Sequence, residues 1–599
     1  MKLIKSILLL FLFLLIPLNI YAKEFKTNYK VQYFLSDNLD KINSEVKYSI
    51  NITNLNEGYY VSKFTLSFPD TFLIENVSAQ DDNGSVNPIV SNKANNVNID
   101  LTFNNPKTSI GSQNNFYLSF NQKNLFNING NIWEVILPVV KKDNDETYQI
   151  DVILPENTTK KISISKPFPN SIVNNQISWT NPTTKTIYAI FGESQIYDLK
   201  LDYYLYNPKL ISGYFDIAFP PDMPNQKIYL ESIKPEPNET YTDSDGNFIG
   251  RYILKPREKI SIKYLGLVEI LSKPREIVKS LDTNKLEFQK QYLLNEGLYW
   301  KIDNPAKYKD IKNSYEIYNY LTSTFSYDYS RISKNIKRLG AKYALENPAR
   351  AVCTEFSDSF VTLAREKGIY AREIQGYGFS NSSELRPLSL VSDILHSWPQ
   401  YFDTNKNLWI SIDPTWENTS GIDYFTSFDL NHIAFAIHGK SSNEPFPAGM
   451  YKFDDKKVIS VIPTKRIPKE NIKLDISSNI PKTIDKNKKF NGKLKIKNQS
   501  NIFLYSIPVS LKTNNLNTVL ALKEIDQLAP FEIKTIDFSI DSSRSKINNT
   551  KVSFLINNSY DYSRNIKLVD WTILYIVGAL LLLSLLIIFI IKKIQQHKI

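Results

Sequence analysis

The chain contains a single cysteine, Cys353, among its 599 residues. One thiol excludes any disulfide within the chain, so the domains of this protein must gain their stability from apolar burial. An unpaired cysteine is either a small buried hydrophobic side chain or a reactive group, and its surroundings in the sequence have to decide between the two.

The chain also lacks any dense run of lysine or arginine between residues 23 and 570. The formal net charge is +11, but two lysines near the N-terminus and three near the C-terminus leave only +6 on this central part. A modest and dispersed excess argues against a nucleic-acid partner and allows no more than weak attraction to an anionic surface.

The first 22 residues have the pattern of a secretory signal peptide. Two lysines precede an uncharged apolar run from Ile7 to Ile16, and the small residue Ala22 follows. We therefore predict a signal peptide over residues 1–22, with cleavage after Ala22. The alternative is an uncleaved N-terminal anchor, although the apolar run is short for a membrane span.

A second apolar stretch lies at the other end of the chain, from Trp571 to Ile591. It is long enough to cross a bilayer, and Lys592 and Lys593 follow it at once. We predict a single transmembrane helix at 571–591 and a cytoplasmic tail at 592–599, with the N-terminal ectodomain outside the cell membrane. The alternative is a buried core helix.

Residues 23 to about 275 show the alternation that is typical of β-strands. Apolar and polar residues alternate from Val46 to Thr53 and again from Lys259 to Tyr264, which predicts strands with one buried face. Turn signals such as Asn83-Gly84 separate these runs. The length favours two β-sandwich domains, at 23–155 and 156–275.

Asp243, Asp245 and Asn247 have the spacing that begins a calcium-binding loop. No glutamate follows at the position that such a loop requires, and Asp245-Gly246 is a common hairpin turn. We therefore favour a hairpin over a calcium site.

The same alternation returns near the C-terminus. Leu494 and Ile496 stand between lysines, and apolar residues alternate with polar ones from Ile536 to Ile540. We predict an immunoglobulin-like β-domain at 466–566 that separates the preceding domain from the membrane.

Helical spacing appears in the region between these β-domains. Tyr315, Tyr318, Leu321 and Phe325 share one helical face. A second amphipathic helix begins at Cys353 and ends before Gly368, and its apolar face consists of Phe356, Phe360, Leu363 and Ala364. A thiol at a helix N-terminus meets unpaired N–H groups and the positive end of the dipole, which favours its thiolate.

Two short alternating runs follow, His396–Phe402 and Asn407–Asp413, and a four-residue turn separates them. If Phe402 pairs with Asn407, then His396 lies directly opposite Asp413. Opposed residues of a hairpin have Cβ atoms about 4.5–5.5 Å apart. At that distance a carboxylate can hold an imidazole N–H.

Such a carboxylate would set the imidazole tautomer, and the other ring nitrogen could then accept the thiol proton of Cys353. Thiolate attack on an acyl carbon is the reaction that this set of residues serves. Singly, a cysteine or a histidine is more often structural. A zinc site of Cys353, His396 and Asp413 is an alternative, but the close ligand pairs of such sites are missing.

Four motifs around these residues resemble the transglutaminase-like superfamily, and the similarity extends over Asn304–Gly439. The motifs are AVCTEFSDSF, GIYAREIQGYGF, HSWPQYF and NLWISIDPTW. The resemblance implies a papain-like α+β domain, which we place at 300–455. It also implies that Cys353 is the nucleophile, His396 the general base and acid, and Asp413 its orienting partner.

Three residues depart from the usual pattern of that superfamily. Ala351 stands where glycine is common, Tyr370 where proline is common, and Gln400 where glutamate often follows the histidine. None of them belongs to the triad, so they bear on substrate preference more than on activity.

Other residues near the motifs receive weaker predictions. Trp398 and Trp409 are predicted on the hairpin face of His396, where they could line a substrate cleft or pack in the core. The backbone N–H of Cys353 is the expected oxyanion donor, and no second donor is evident. Structural roles are expected for Asp429, Asn431, His432 and His438, with a contact between His432 and the site as the alternative.

The sequence therefore predicts a membrane-anchored cysteine enzyme that acts on amide bonds outside the cytoplasm. Its expected partner is a protein or peptide substrate, with cell-wall peptide as one candidate, and no metal or cofactor is expected. Peptidase, amidase and transglutaminase activity all remain open, since fold does not determine the reaction. The alternative is a non-catalytic surface adhesion or scaffold protein with a papain-like spacer domain.

Overall fold

The computed structural model describes residues 23–596 apart from 36–43, 71, 94–95, 124, 141, 185, 280–289, 296, 333–336, 381–394, 454–455, 487, 515, 544 and 546. The predicted signal peptide and the last three residues of the predicted tail lie outside the described residues. The chain divides into two compact units, Met1–Ile128 with Trp133–Gly192 and Asn129–Ile132 with Glu193–Ile599.

The first unit is built from β-strands. They are β1 (Phe25–Leu35), β2 (Ser44–Asn54), β3 (Lys63–Pro69), β4 (Leu73–Asp81), β5 (Gly84–Val86), β6 (Ile89–Lys93), β7 (Asn96–Thr102), β8 (Gln113–Lys123), β9 (Phe126–Asn129), β10 (Ile132–Pro138), β11 (Tyr148–Ile153), β12 (Ile162–Lys166), β13 (Ser171–Val173), β14 (Gln176–Thr180) and β15 (Thr186–Phe191). The sheet orders are β13-β14-β11-β1-β2-β8-β4-β5, β12-β15-β10-β9 and β3-β7-β6.

Strand β2 shows why these segments form sheets. Val46, Tyr48, Ile50 and Ile52 are buried, while Lys47 between them is exposed. The alternation puts every second side chain into one core, and each fully buried apolar side chain contributes roughly 1.5–3 kcal/mol. The predicted strand around Val46 is confirmed.

The second unit begins with a domain that we call the middle β-domain, residues 194–271. Its strands are β16 (Ser194–Tyr206), β17 (Gly213–Phe219), β18 (Gln226–Lys234), β19 (Glu239–Thr242), β20 (Phe248–Leu254) and β21 (Lys259–Leu271). Strands β17, β20 and β19 form one sheet, and β18, β21 and β16 belong to a second.

A mixed α/β domain follows, and it carries the predicted site. Its elements are α1 (Ser314–Thr324), α2 (Gly340–Glu346), α3 (Cys353–Glu366), β22 (Ala371–Gly378), β23 (His396–Asp403), β24 (Leu408–Ser411), α4 (Pro414–Ser420) and β25 (His432–His438). The sheet order is β24-β23-β22-β25. Helix α3 begins at Cys353 as predicted, and Gly368 follows its end with φ +72°.

The chain then returns to the middle β-domain, because β26 (Ile459–Thr464) pairs with β16. The C-terminal β-domain has two sheets, β27-β29-β33-β31 and β28-β35-β34-β30-β32. Its strands are β27 (Leu474–Ser478), β28 (Thr483–Asp485), β29 (Lys489–Asn498), β30 (Leu504–Thr513), β31 (Asn517–Leu520), β32 (Glu524–Leu528), β33 (Ile533–Asp541), β34 (Asn549–Ile556) and β35 (Tyr560–Val569).

The last element is the helix α5 (Thr572–Gln596). Its segment Tyr575–Gln595 has a mean hydropathy of 2.6, and the protein buries none of it. It is long and apolar enough to cross a membrane. The predicted fold class, β-sheet domains around one mixed α/β domain with a C-terminal apolar helix, is confirmed.

Candidate active site

A buried carboxylate holds the start of helix α3 in place. Val352 precedes the helix and has no side chain that can cap it, but Glu355 accepts the Val352 N–H at 3.0 Å. Glu355 also accepts the Leu339 N–H at 2.7 Å and an Arg331 N–H at 2.8 Å. These three bonds fix the position of Cys353 at the positive end of the helix dipole.

Strand β23 places His396 beside the thiol. His396 pairs with Gly376 of β22, where a Cβ atom would lie 2.0 Å from the Ile433 carbonyl oxygen and 2.9 Å from the Trp398 ring. Only glycine allows this close approach of β25 and Trp398. The thiol of Cys353 lies close enough to His396 to raise the pKa of its imidazole.

The predicted hairpin register is wrong by two residues. Phe402 pairs with Trp409 and not with Asn407, so β24 ends at Ser411. The turn lies one residue later than predicted because Asp403 accepts the N–H groups of Asn405 and Lys406 within it, and Asn407 adopts a φ of +49°. His396 and Asp413 are therefore not opposed strand residues.

The two residues nevertheless meet. Asp413 is the N-cap of α4, where its Oδ1 accepts the N–H groups of Thr415 at 2.9 Å and Trp416 at 3.1 Å. This leaves Oδ2 directed at His396, with 2.8 Å between Oδ2 and Nε2. The N-cap bonds of Asp413, and not the predicted cross-strand pair, therefore orient the carboxylate.

The charged forms of His396 and Asp413 stabilise each other. Burial lowers the pKa of His396, but the charge and hydrogen bond of Asp413, together with Cys353, outweigh it and raise that pKa to about 10. Burial raises the pKa of Asp413, and the two imidazoles of His396 and His432 reverse the effect and hold it well below its usual range. The geometry favours an imidazolium beside an ionised carboxylate.

A second histidine, outside the predicted set of site residues, touches the same carboxylate. His432 Nε2 lies 3.2 Å from Asp413 Oδ2, and its Nδ1 lies 2.6 Å from Asp429 Oδ1. The sequence signal was the spacing of Asp429 and His432 by three residues, but nothing local connected that pair to Asp413. His396, Asp413 and His432 could also hold a metal ion, because their ligand atoms lie within 4.8 Å of one another.

The two predicted substrate-binding tryptophans lie in different clusters. Trp398 is 2% exposed and stacks on His396 with 5.9 Å between ring centroids. Trp409 packs against Tyr292 and Phe402 in a separate hydrophobic cluster. The structure brings Trp398 together with His396, while Trp416 provides the closer ring contact with that imidazole, at 4.9 Å.

A second set of buried charged residues connects the helix and strands that carry the site. Arg338 donates to Asp358 of α3 and, at 2.7 Å, to Glu373 of β22. Glu373 also accepts the hydroxyl of Ser397 at 2.7 Å and faces His438 Nδ1 at 2.9 Å. These bonds join the helix of the thiol to the strand of His396, because Ser397 is the next residue along that strand.

The two carboxylates of this set differ in their pKa. Burial raises the pKa of Asp358 to about 8 against the opposing charge of Arg338. Burial also acts to raise that of Glu373, but Arg338 and His438 lower it to about 2. One guanidinium therefore stabilises one ionised carboxylate fully and the second only in part.

The middle β-domain holds the edge strand β25. Gln226 donates to the Ala434 carbonyl at 3.0 Å and accepts its N–H at 2.8 Å, and Asn247 binds the carbonyl and N–H of Ile437 at 2.9 and 2.7 Å. Each side-chain amide thus makes the two backbone hydrogen bonds that a neighbouring strand would make. Asp245 accepts the backbone N–H groups of Gly439 and Lys440 at 3.0 Å each, so this carboxylate of the acidic loop binds the protein's own backbone.

Replacing Gln226 with methionine should loosen this strand. The buried N–H and C=O of Ala434 would lose their partners, which costs about 1–3 kcal/mol and should speed amide exchange across residues 432–438 about tenfold. Hydrogen-exchange mass spectrometry of that segment measures the effect. Thr240→Val is the matched control, because Thr240 donates to Pro530 and not to β25. Equal exchange in both variants would contradict the expectation.

A comparison with protein families finds a match within the mixed α/β domain. The family model described as the Transglutaminase-like superfamily matches residues 302–414, which include Cys353, His396 and Asp413. A comparison with curated proteins finds no match.

Solved structures with matching segments are distant. One is a protein from Cytophaga hutchinsonii, named as a candidate cysteine protease, with 13% identity, a TM-score of 0.25 and coverage of 46% of this chain and 99% of that chain. Another is an M1 zinc metallopeptidase from Deinococcus radiodurans, with 13% identity, a TM-score of 0.19 and coverage of 29% and 43%. The match thus spans less than half of the metallopeptidase. The segment 302–414 therefore carries a transglutaminase-like domain.

Proposed function

We propose that this protein is a membrane-anchored cysteine enzyme that cleaves or transfers the acyl group of amide bonds in proteins or peptides outside the cytoplasm. One observation carries the proposal: Asp413 holds His396 at 2.8 Å in a buried site, and Cys353 lies close enough to that imidazole to raise its pKa. A cysteine-dependent enzyme is also what a transglutaminase-like domain supports. The apolar helix α5 supports the anchor.

The reaction begins with the Cys353 thiolate and the His396 imidazolium. Nε2 of His396 is hydrogen-bonded to Asp413, so Nδ1 is the nitrogen that exchanges a proton with the thiol. The sulfur forms a bond to the substrate carbonyl carbon, and the π electrons move to its oxygen. The backbone N–H of Cys353 is the proposed donor to that oxyanion.

Collapse of this intermediate breaks the C–N bond. His396 gives its proton to the departing amine, which leaves a thioester on Cys353. Water or a second amine then attacks the thioester carbon and passes a proton to His396, which restores the starting state. Hydrolysis and transamidation differ only in this acceptor.

Substrate would reach the thiol from the side of Cys353. Cys353 keeps 9% of its surface exposed, whereas His396 keeps 2% and Asp413 none. The imidazole and the carboxylate are thus shielded from water, which strengthens the interaction between their charges. Trp398 and Trp416 form part of that shield by stacking on His396.

The full-length protein in detergent micelles tests the proposal. It would be incubated with cell-wall peptides, and separately with a protein substrate and a labelled primary amine, and the products analysed by mass spectrometry. We expect peptide cleavage or amine incorporation, and no product from Cys353→Ala or His396→Ala. Absence of product together with equal labelling of wild type and His396→Ala by a thiol-directed electrophile would favour the adhesion or scaffold alternative.

A further inference from the structure

Asp413 has hydrogen-bond donors around both of its oxygens. Oδ1 accepts the backbone N–H groups of Thr415 and Trp416, and Oδ2 faces Nε2 of both His396 and His432. A carboxylate accepts about four hydrogen bonds, so these four contacts satisfy it. Without His432, one position on Oδ2 would be empty, and the direction of the bond to His396 would be less restricted.

His432 is itself held in one orientation. Its Nδ1 lies 2.6 Å from Asp429 Oδ1, and Asp429 Oδ1 also accepts the backbone N–H of Asn431 at 2.9 Å. The rings of Trp416 and Phe428 lie 4.3 and 4.4 Å from the His432 ring. The imidazole cannot turn in this enclosure without losing its carboxylate contacts.

Both ring nitrogens of His432 face carboxylate oxygens. The ring of His432 therefore links Asp429 to Asp413 and restricts the orientation of both carboxylates.

We propose that His432 and Asp429 are positioning residues of the reaction. His432 holds Asp413 in the orientation that binds His396 Nε2, and Asp429 holds His432 in turn. The triad Cys353, His396 and Asp413 is thereby extended by two residues from the segment around the start of β25. This inference rests on the proposed function, because it assigns a role relative to that triad.

The test uses the single cysteine. The rate of Cys353 alkylation by iodoacetamide in the full-length protein, measured from about pH 5 to about pH 10, reports the thiolate and therefore the state of His396. His432→Phe removes both hydrogen bonds but keeps an aromatic ring. His432→Gln keeps a donor near the position of Nε2. We expect His432→Phe to lower the rate at pH 6 about tenfold, because a hydrogen bond to a charged group is lost, and His432→Gln to restore most of it.

Gln226→Met provides the control. Gln226 holds the same strand through the backbone of Ala434, at 3.0 and 2.8 Å, and none of these bonds is with Asp413. Gln226→Met should loosen β25 but keep the pH profile of the wild type. An equal shift in Gln226→Met would overturn the proposal, since the effect would then come from the strand and not from the contact with Asp413.

Two further outcomes would also decide against it. A wild-type profile in His432→Phe would overturn the positioning role alone. If zinc blocks alkylation of the wild type and His432→Phe abolishes the block, the cluster is a metal site and the assignment is overturned. If the wild type itself reacts like an ordinary thiol, with the rate rising only near pH 8.5, the proposed function fails together with the inference.

Discussion

Replacing Asp413 with asparagine should leave the fold intact and nearly abolish the reactivity of Cys353 at mildly acidic pH. Asparagine is as good an N-cap as aspartate, so its side-chain oxygen can keep the bonds to Thr415 and Trp416. The amide NH₂ then faces His396 Nε2 and donates to it. The imidazole is forced into the tautomer that carries its proton on Nδ1, which cannot accept the proton of the thiol.

The size of the effect follows from the thiolate fraction. In the wild type, Asp413 and Cys353 raise the pKa of His396 to about 10, despite its burial, so its imidazolium persists across the neutral range and stabilises the thiolate. In Asp413→Asn the imidazolium loses its partner and no longer stabilises the thiolate, so we expect the alkylation rate at pH 6 to fall about 100-fold.

The pH profile checks the sign of this expectation. Because the pKa of His396 is raised to about 10, its ion pair with Asp413 stabilises the folded protein fully below about pH 6.5. This contribution is lost as the pH rises through about 10. Wild-type alkylation should thus be appreciable at pH 6, and that of the variant should appear only near pH 8. An unchanged profile in Asp413→Asn would remove Asp413 from the proposed triad.

The largest loss of stability is expected for Arg338→Met. Methionine has a similar length but no charge, so Asp358 and Glu373 would lose the guanidinium that compensates their buried carboxylates. Breaking a buried ion pair by removing one partner costs about 3–5 kcal/mol. The change should lower the urea midpoint of the mixed α/β domain, followed by the fluorescence of its tryptophans, Trp300, Trp398, Trp409 and Trp416.

Asp358→Asn separates the two carboxylates in this network. Burial raises the Asp358 pKa above its unfolded value to about 8, so its contribution to stability is complete below about pH 4 and lost as the pH rises through about 8. Asparagine does not titrate, and the variant should show a flatter pH dependence of stability over that window. Arg338→Met should remain the less stable variant at pH 8, and a reversed order would contradict the assigned network.

The sequence predicted most of the local structure around the site. The start of helix α3 at Cys353 could be predicted because an amphipathic pattern with a closing glycine depends only on neighbouring residues. The strands around Val46, Ile262 and Leu494 follow in the same way from alternation. The two-residue error in the hairpin arose from the side chain of Asp403, which shifts the turn without changing the alternation on either side.

Contacts between distant segments could not be predicted from such patterns. His432 and Asp413 are 19 residues apart and lie on a strand and a helix cap, so no local periodicity relates them. Gln226 contacts Ala434 from 208 residues away. The acidic loop around Asp245, which resembled part of a cation site, uses its carboxylate on backbone N–H groups of the mixed domain.

The sequence by itself determined that this protein has a lone thiol at a helix start and an apolar C-terminal segment. These features follow from residue type and spacing along the chain. The tertiary structure alone decided how Asp413 is oriented, by a helix cap and two imidazoles, and that the middle β-domain holds the edge strand. The physical reason is that a buried polar group takes whichever partner the packed chain brings to it, and that partner can come from any part of the sequence.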